Sequence, residues 1–219
     1  MVNAQDDDAS VMTDQHPLLK DYQLHGWAPD SKLSDDENYI DLIMLLTRNS
    51  NCRQGHMACA VVRRRHPSCD DALDLLDRIS TVANNTSVYK ERDSDNHAEI
   101  NALGEAAKFG RATDGCTAFI TMPPCKRCFG ALLAAGIARI VTTRTILEPI
   151  ATVAEERGIE TLVMDANAST NRIAKYLPKL NRELVEAGRA QQKQEKLDRQ
   201  VAGKERKRKA QELDLKSDV

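Results

Sequence analysis

Two short stretches limit what the rest of this chain can be: Asp95-Asn96-His97-Ala98-Glu99-Ile100-Asn101 and Met122-Pro123-Pro124-Cys125-Lys126-Arg127-Cys128-Phe129. A catalytic zinc site takes three protein ligands and keeps a fourth position for water, and two thiolates with one neutral imidazole meet that need. His97, Cys125 and Cys128 are the candidate ligands. Cysteines three apart share one face of a helix, so both reach one ion if a helix starts near Pro124, a residue favoured in a first helical turn. The amide end of a helix also favours thiolate.

Two thiolates balance the charge of Zn²⁺, and the metal brings the pKa of a bound water toward neutrality. A proton shuttle is then required. Glu99 fills that role by elimination: it stands two residues past His97, points to a different part of the helix surface and approaches the open position without ligating. The competing arrangement has His97 capping a helix, Glu99 solvated and the cysteines forming a structural half-site. The combination of the two stretches argues against it, because each supplies what the other lacks; a lone C-x-x-C carries far less.

At 219 residues with 41% apolar content, the chain has material for one ordinary domain with extensions. There is no apolar run of membrane-span length and no basic-then-apolar leader at Met1, so no membrane partner is expected and a cytoplasmic location, with nuclear as the alternative, follows. Two of the six cysteines are claimed by the metal, and the others are expected to be reduced thiols. The net charge of -2 conceals a polarity: residues 1–37 hold 2 basic and 9 acidic side chains, whereas residues 171–219 hold 14 and 8. The expected organisation is an acidic, largely mobile leader over 1–34, a catalytic domain over 35–167 and a charged, helical, basic tail over 168–219.

Within the leader, Leu18, Leu19, Tyr22, Leu24 and Trp27 are set to pack either on the domain or on a second subunit. Ser34-Asp35-Asp36-Glu37 has the form of a capping box opening a helix that presents Tyr39, Leu42, Ile43 and Leu46. Apolar runs predict strands at 57–62 and 79–83, joined by an insertion and followed by a turn at Asn84-Asn85. The first metal helix is expected over 97–109, with Ile100, Leu103 and Ala107 on one face and Gly110 at its end. A strand at 117–121 leads into the second metal helix, 125–135, stopped by Gly136. The unit of strand 137–142, helix 147–157 and strand 159–164 makes its two strands parallel neighbours by a right-handed crossover. A mixed five-stranded sheet with helices on both faces results, an α/β three-layer α-β-α architecture whose last two strands are parallel. Ser169-Thr170 is a candidate N-cap for the tail.

His97-Ala98-Glu99 and Pro124-Cys125-Lys126-Arg127-Cys128 match the H-x-E and P-C-x-x-C signature of zinc deaminases. Over residues 38–165 the sequence resembles the cytidine deaminase superfamily, and within it the branch of deoxycytidylate and tRNA adenosine deaminases. Asn101 suits the H-A-E-x-N form common in deoxycytidylate deaminases, and Ser50-Asn51-Cys52-Arg53 is similar to the segment before their first strand. The resemblance implies the cytidine deaminase-like fold, Zn²⁺ held by His97, Cys125 and Cys128, and Glu99 shuttling protons during hydrolytic release of ammonia from a cytosine nucleotide or nucleoside, with deoxycytidylate favoured. It also implies a homo-oligomer. The glycine, aromatic, asparagine, glycine turn of many such enzymes is replaced by Val82-Ala83-Asn84-Asn85, leaving Asn85, or else Asn84, as the substrate contact. An asparagine that only makes the turn is the alternative.

RNA is the alternative partner, gripped through the basic tail and its cluster at 204–209 while one base enters the metal pocket. Cys52, His56, His66 and Cys69 have spacings compatible with a second metal, although core thiols and surface histidines are favoured there.

Overall fold

The computed structural model describes residues 16–53, 55–65, 74–89, 92–176 and 194. The chain divides into two units, Met1–Lys175 and Tyr176–Val219, and the architecture below is that of the first. Among the described residues, five α-helices and five strands make it, in the order α1 (Asp35–Leu46), β1 (Ala58–Val62), β2 (Ile79–Asn84), α2 (Ala98–Lys108), β3 (Thr117–Ile120), α3 (Lys126–Ala134), β4 (Arg139–Thr142), α4 (Glu148–Glu156), β5 (Glu160–Val163) and α5 (Ala166–Ile173).

The sheet runs β2-β1-β3-β4-β5. β1 is antiparallel to both β2 and β3, whereas β3, β4 and β5 are parallel. The expected mixed five-stranded α/β sheet with parallel last strands is what the chain forms. Alternation along β1 and β3 divides the core. Cys59, Val61, Ala118 and Ile120 point to the face covered by α2, α3 and α4, where they meet Ala98, Ala102, Phe129, Leu132, Ile150 and Ala154. On the opposite face, Tyr39 of α1 stacks against Phe119 of β3 with ring centroids 4.8 Å apart.

The first helix begins where its capping box places it. The Ser34 hydroxyl accepts from the Glu37 amide at 3.3 Å, and the Glu37 carboxylate accepts from the Ser34 amide at 2.9 Å. Tyr39, Leu42, Ile43 and Leu46 are all buried, as the periodicity requires. In the segment ahead of it, Leu19, Leu24 and Trp27 are buried against the domain. Gly136 ends the turn after α3 at φ +74°, and a Cβ there would lie 2.3 Å from Asp114 Oδ1, so only glycine fits.

Two expectations are corrected. The buried stripe of α2 is Ala98, Glu99, Ala102 and Ala106, while Ile100 and Ala107 are exposed and Leu103 is half-buried. Small residues carry this interface because they let the helix axis come close to β1 and β2; the larger apolar side chains lie off it. The last helix starts at Asp165, whose carboxylate accepts from the Asn167 amide at 2.8 Å, so Ser169 and Thr170 are interior helix residues and not caps. α5 packs on α1, where Arg172 grips the buried Asp41 through two hydrogen bonds of 2.8 Å, so this helix spans the 167/168 boundary of the composition reading.

Candidate active site and metal centre

β3 delivers the chain to Pro123 and Pro124, and α3 starts two residues later, at Lys126. Cys125 is its N-cap, and its Sγ accepts from the Cys128 amide at 3.5 Å. His97 occupies the equivalent cap position of α2 without a side-chain capping bond, which leaves its imidazole free to turn toward the cysteines. His97 Nδ1 lies 3.8 Å from Cys125 Sγ and 3.4 Å from Cys128 Sγ, and the three donor atoms all fall within 4.8 Å of one another. A tetrahedral zinc with bonds of about 2.3 Å to sulfur and about 2.0 Å to nitrogen separates its donors by about 3.5–3.8 Å. The triad fits that ion. Among the described residues it is the one group of His, Cys, Asp or Glu side chains so arranged.

Glu99 is 3% exposed, and its Oε2 has no hydrogen-bond partner. A buried carboxylate oxygen without a partner is costly unless a ligand completes it. Burial pushes the Glu99 carboxyl above its ordinary value, against the pull of its own backbone amide, His97 and Cys128; a divalent cation beside it acts in the lowering direction too. The Cys128 thiol is pushed up by burial, with Glu99 and Cys125 adding to it, and a bound metal would supply what a thiolate needs here. Beneath the site lies Cys59 of β1, which sequence reasoning did not single out. It is fully buried, and burial, with Glu99 and Cys128 nearby, holds it protonated.

Asn85 is 1% exposed and every hydrogen-bonding position of its carboxamide is used. Oδ1 accepts from Ser50 Oγ at 2.8 Å and from the Met57 amide at 2.9 Å; Nδ2 donates to the Gly55 carbonyl and to Ser94 Oγ, both at 2.8 Å. Asn84 Nδ2 donates to the carbonyls of Leu46 and Met57, at 2.8 and 2.9 Å. Asn101 Nδ2 donates to the Asn84 carbonyl at 2.7 Å and to Thr86 Oγ1 at 3.0 Å, tying α2 to the end of β2. The three asparagines together hold the segments that flank His97.

Of the second metal set, His66 and Cys69 lie outside the described residues, while the Cys52 thiol donates toward the carbonyls of Asn85 and Asp93 at 3.5 and 3.4 Å. A groove of about 1200 Å³ runs along the outer side of α2 past Ile100, Lys108 and Phe109, and none of His97, Glu99, Cys125 or Cys128 lines it. The metal-ligating and buried acidic groups are gathered at the triad, not in that groove.

The family model of the cytidine and deoxycytidylate deaminase zinc-binding region matches residues 33–144, a span that contains all four of these side chains. The chain belongs to this deaminase family. Zn²⁺ is accordingly the cofactor, and His97, Cys125 and Cys128 form the cluster that could hold it. The chain is similar to the deoxycytidylate deaminase of Enterobacteria phage T4, with 32% identity over 88 residues that cover 39% of this chain and 45% of that protein. It thus spans less than half the length of that curated relative. Among solved structures, it resembles the apo dCMP deaminase of cyanophage S-TIM5 (24% identity, 59% of this chain and 96% of that one, TM-score 0.48). It also resembles a guanine deaminase from Nitrosomonas europaea (22% identity, 66% and 85%, TM-score 0.49).

Within the described residues, no helix is long and apolar enough to cross a membrane. The basic cluster at 204–209 lies outside them.

Proposed function

We propose that this deaminase removes the amino group of a cytosine nucleotide or nucleoside by hydrolysis, with a deoxycytidylate-like substrate favoured. The observation that carries the reading is the buried Glu99 carboxylate, with an unpartnered oxygen, on the same helix start as an imidazole and beside two thiols arranged for zinc. A subunit kept only for its fold would have no reason to bury an unsatisfied carboxylate there.

When bound, zinc lowers the pKa of a water molecule and so supplies the nucleophile at neutral pH. Glu99 does the rest of the proton work. Its carboxylate takes a proton from the attacking water and passes it to the ring nitrogen next to the amino-bearing carbon. It then takes the remaining proton of the oxygen added to that carbon and delivers it to the departing amine, which leaves as ammonia while the ring carbon keeps the oxygen as a carbonyl. Burial of Glu99 keeps bulk water from competing for these protons. His97, Cys125 and Cys128 hold the metal at the mouths of two helices, and the helix amide ends steady the two thiolates. Asn85 serves the substrate indirectly: its four hydrogen bonds set Ser50, Gly55 and Met57 against Ser94. A homo-oligomer is part of this reading. No observation favours the RNA-directed alternative, whose basic cluster lies outside the described residues.

The test is loss of cytosine absorbance on zinc-loaded protein offered deoxycytidylate, cytidylate, deoxycytidine and cytidine, with Glu99→Ala as control. Turnover of at least one compound, abolished in the control, is the expected result. Absence of turnover on all four sinks the reading.

A further inference from the structure

Five arginines converge at the end of the sheet where β3 and β4 begin, away from the metal triad. The run Arg63-Arg64-Arg65 leaves β1, and the Arg63 amide donates to the Arg78 carbonyl at 2.9 Å, which lays the run beside the residue ahead of β2. Val62 is in register with Thr117 of β3, and Thr117 with Arg139 of β4, so neighbouring strands bring the fifth guanidinium to the same place. The five line one cavity of about 240 Å³, together with Tyr39 and Phe119 of the core.

Every acid in that cavity is paired, but the cations are in excess. Asp35 Oδ2 accepts from Arg78 Nη2 at 2.6 Å and faces Arg65 Nε at 3.4 Å. The Glu160 carboxylate takes Arg139 Nε at 2.8 Å and Arg64 Nη2 at 3.1 Å, and Asp36 takes both Nη atoms of Arg139. Arg63 has a neutral partner, the Asp77 carbonyl, 2.6 Å from its Nη2. Five guanidiniums therefore face three carboxylates among the described residues of the cavity, an excess of two positive charges. The excess is costliest at Arg78. It is 4% exposed, lies 5.6 Å from the centre of the Tyr39 ring, shares its carboxylate with Arg65 and has no hydrogen-bond partner for Nε. A buried guanidinium whose counter-charge is shared destabilises the fold unless a further anion completes it.

The lining also says what kind of anion fits. Guanidinium forks match the oxygens of a tetrahedral oxyanion two at a time. Pockets that bury a whole organic ligand hold about 300–1,000 Å³, so this smaller cavity suits an ion better than a nucleotide. Arg63, Arg64 and Arg65 are exposed and give an anion access, while Arg78 and Arg139 supply the buried charge.

We propose that this cavity is a structural anion site for one free, doubly charged tetrahedral oxyanion of the phosphate type. Bound there, the ion supplies the missing negative charge and joins the start of α1, the end of β1 and the start of β4 into one clamp. The site is separate from the deaminase chemistry and does not depend on it.

Calorimetric titration and thermal unfolding of the zinc-loaded full chain, with orthophosphate against sodium chloride at equal ionic strength, test the site. Phosphate is expected to raise the melting temperature by about 3–5 °C at about ten times its Kd, and chloride by much less. Arg63→Gln and Arg65→Gln, both at exposed positions, should each raise the phosphate Kd by about tenfold. Glu160→Gln acts in the opposite sense: with a competing carboxylate gone, the Kd should fall by about three- to tenfold. A side chain that only supported the fold would not produce that tightening. Lys126→Gln, next to the metal ligand Cys125, should leave phosphate binding unchanged. Equal effects of phosphate and chloride overturn the site. So does phosphate binding that survives both arginine substitutions unweakened, that Glu160→Gln fails to tighten, or that Lys126→Gln weakens instead.

Discussion

The two ends of the central sheet use their charged side chains in opposite ways. At the end where β3, β4 and β5 begin, Arg139 bonds the Asp36 carboxylate through both Nη atoms, at 2.8 and 2.7 Å, and Glu160 through Nε at 2.8 Å. Arg78, 4% exposed, meets Asp35 at 2.6 Å, and Arg64 and Arg65 add pairs to Glu160 and Asp35. These bonds tie the start of α1 to strands far away in sequence. At the end where β3 finishes, the buried carboxylate oxygen of Glu99 has no partner, and Arg53, Arg92, Lys126 and Arg127 have no acidic partner among the described residues. Charges that must hold a fold are satisfied within it, and charges that must receive a ligand are left unsatisfied until it comes.

The largest effects should come from the open end. Glu99→Gln keeps the volume and removes the proton carrier. Turnover should fall by about 10²–10⁴-fold while zinc content, read by elemental analysis, stays at one ion per chain. A fall in zinc as well would move Glu99 from proton transfer to metal retention and blur the distinction between the two ends. Cys128→Ser should lose both the metal and all measurable activity. Chelation of the wild type should abolish turnover, and added Zn²⁺ should restore it, with melting temperature following the metal in both directions.

The paired end should respond the other way, through stability. Arg139→Ala removes the shared partner of Asp36 and Glu160 from a site where the guanidinium is 14% exposed. A loss of about 1–3 kcal/mol is expected by urea denaturation, below the figure for a fully buried pair because Asp36 and Glu160 keep access to water. Activity per folded molecule should not change. Asn85→Ala tests the stitching between these extremes: unpairing Ser50, Ser94 and the Met57 amide should cost about 2 kcal/mol and speed amide hydrogen exchange over residues 50–57.

How much of this was legible in the sequence follows from the range of each interaction. That His97, Cys125 and Cys128 come together with Glu99 buried close by was legible because ligand chemistry constrains spacing within each half, His97 to Glu99 and Cys125 to Cys128. The capping box at Ser34 was legible for the same reason, its two hydrogen bonds closing within four residues. The parallel strands followed from alternating strand and helix patterns. The buried face of α2 was misread because apolar bulk drew attention to Ile100 and Leu103, whereas the contact with the sheet is made by alanines whose value lies in being small. Asn85 was visible as a polar turn residue, but its four partners lie between 9 and 35 residues away, so no local pattern distinguishes an internal clamp from a substrate contact. Arg139 and Asp36 are 103 residues apart, and nothing in either neighbourhood announces the other.

The smallest expected effect is the sharpest check on the comparison. Arg64 pairs with Glu160 at 3.1 Å, but both side chains are about half exposed, at 48% and 51%. A pair in that setting gains little, because water screens the attraction and two long side chains lose freedom to hold it. Glu160 also keeps its bond to Arg139 when Arg64 is removed, so no acid is orphaned. Arg64→Ala should therefore change unfolding free energy by less than about 0.5 kcal/mol, even though Arg139→Ala, acting on the same glutamate, should cost several times more. Equal costs for the two variants would mean that the cluster acts as one cooperative network, and a double-mutant cycle over Arg64 and Arg139 would show it as a coupling well above the additive limit. The expected additivity would instead place what the two pairs to Glu160 contribute almost wholly in Arg139, the member that joins α1 to both β4 and β5.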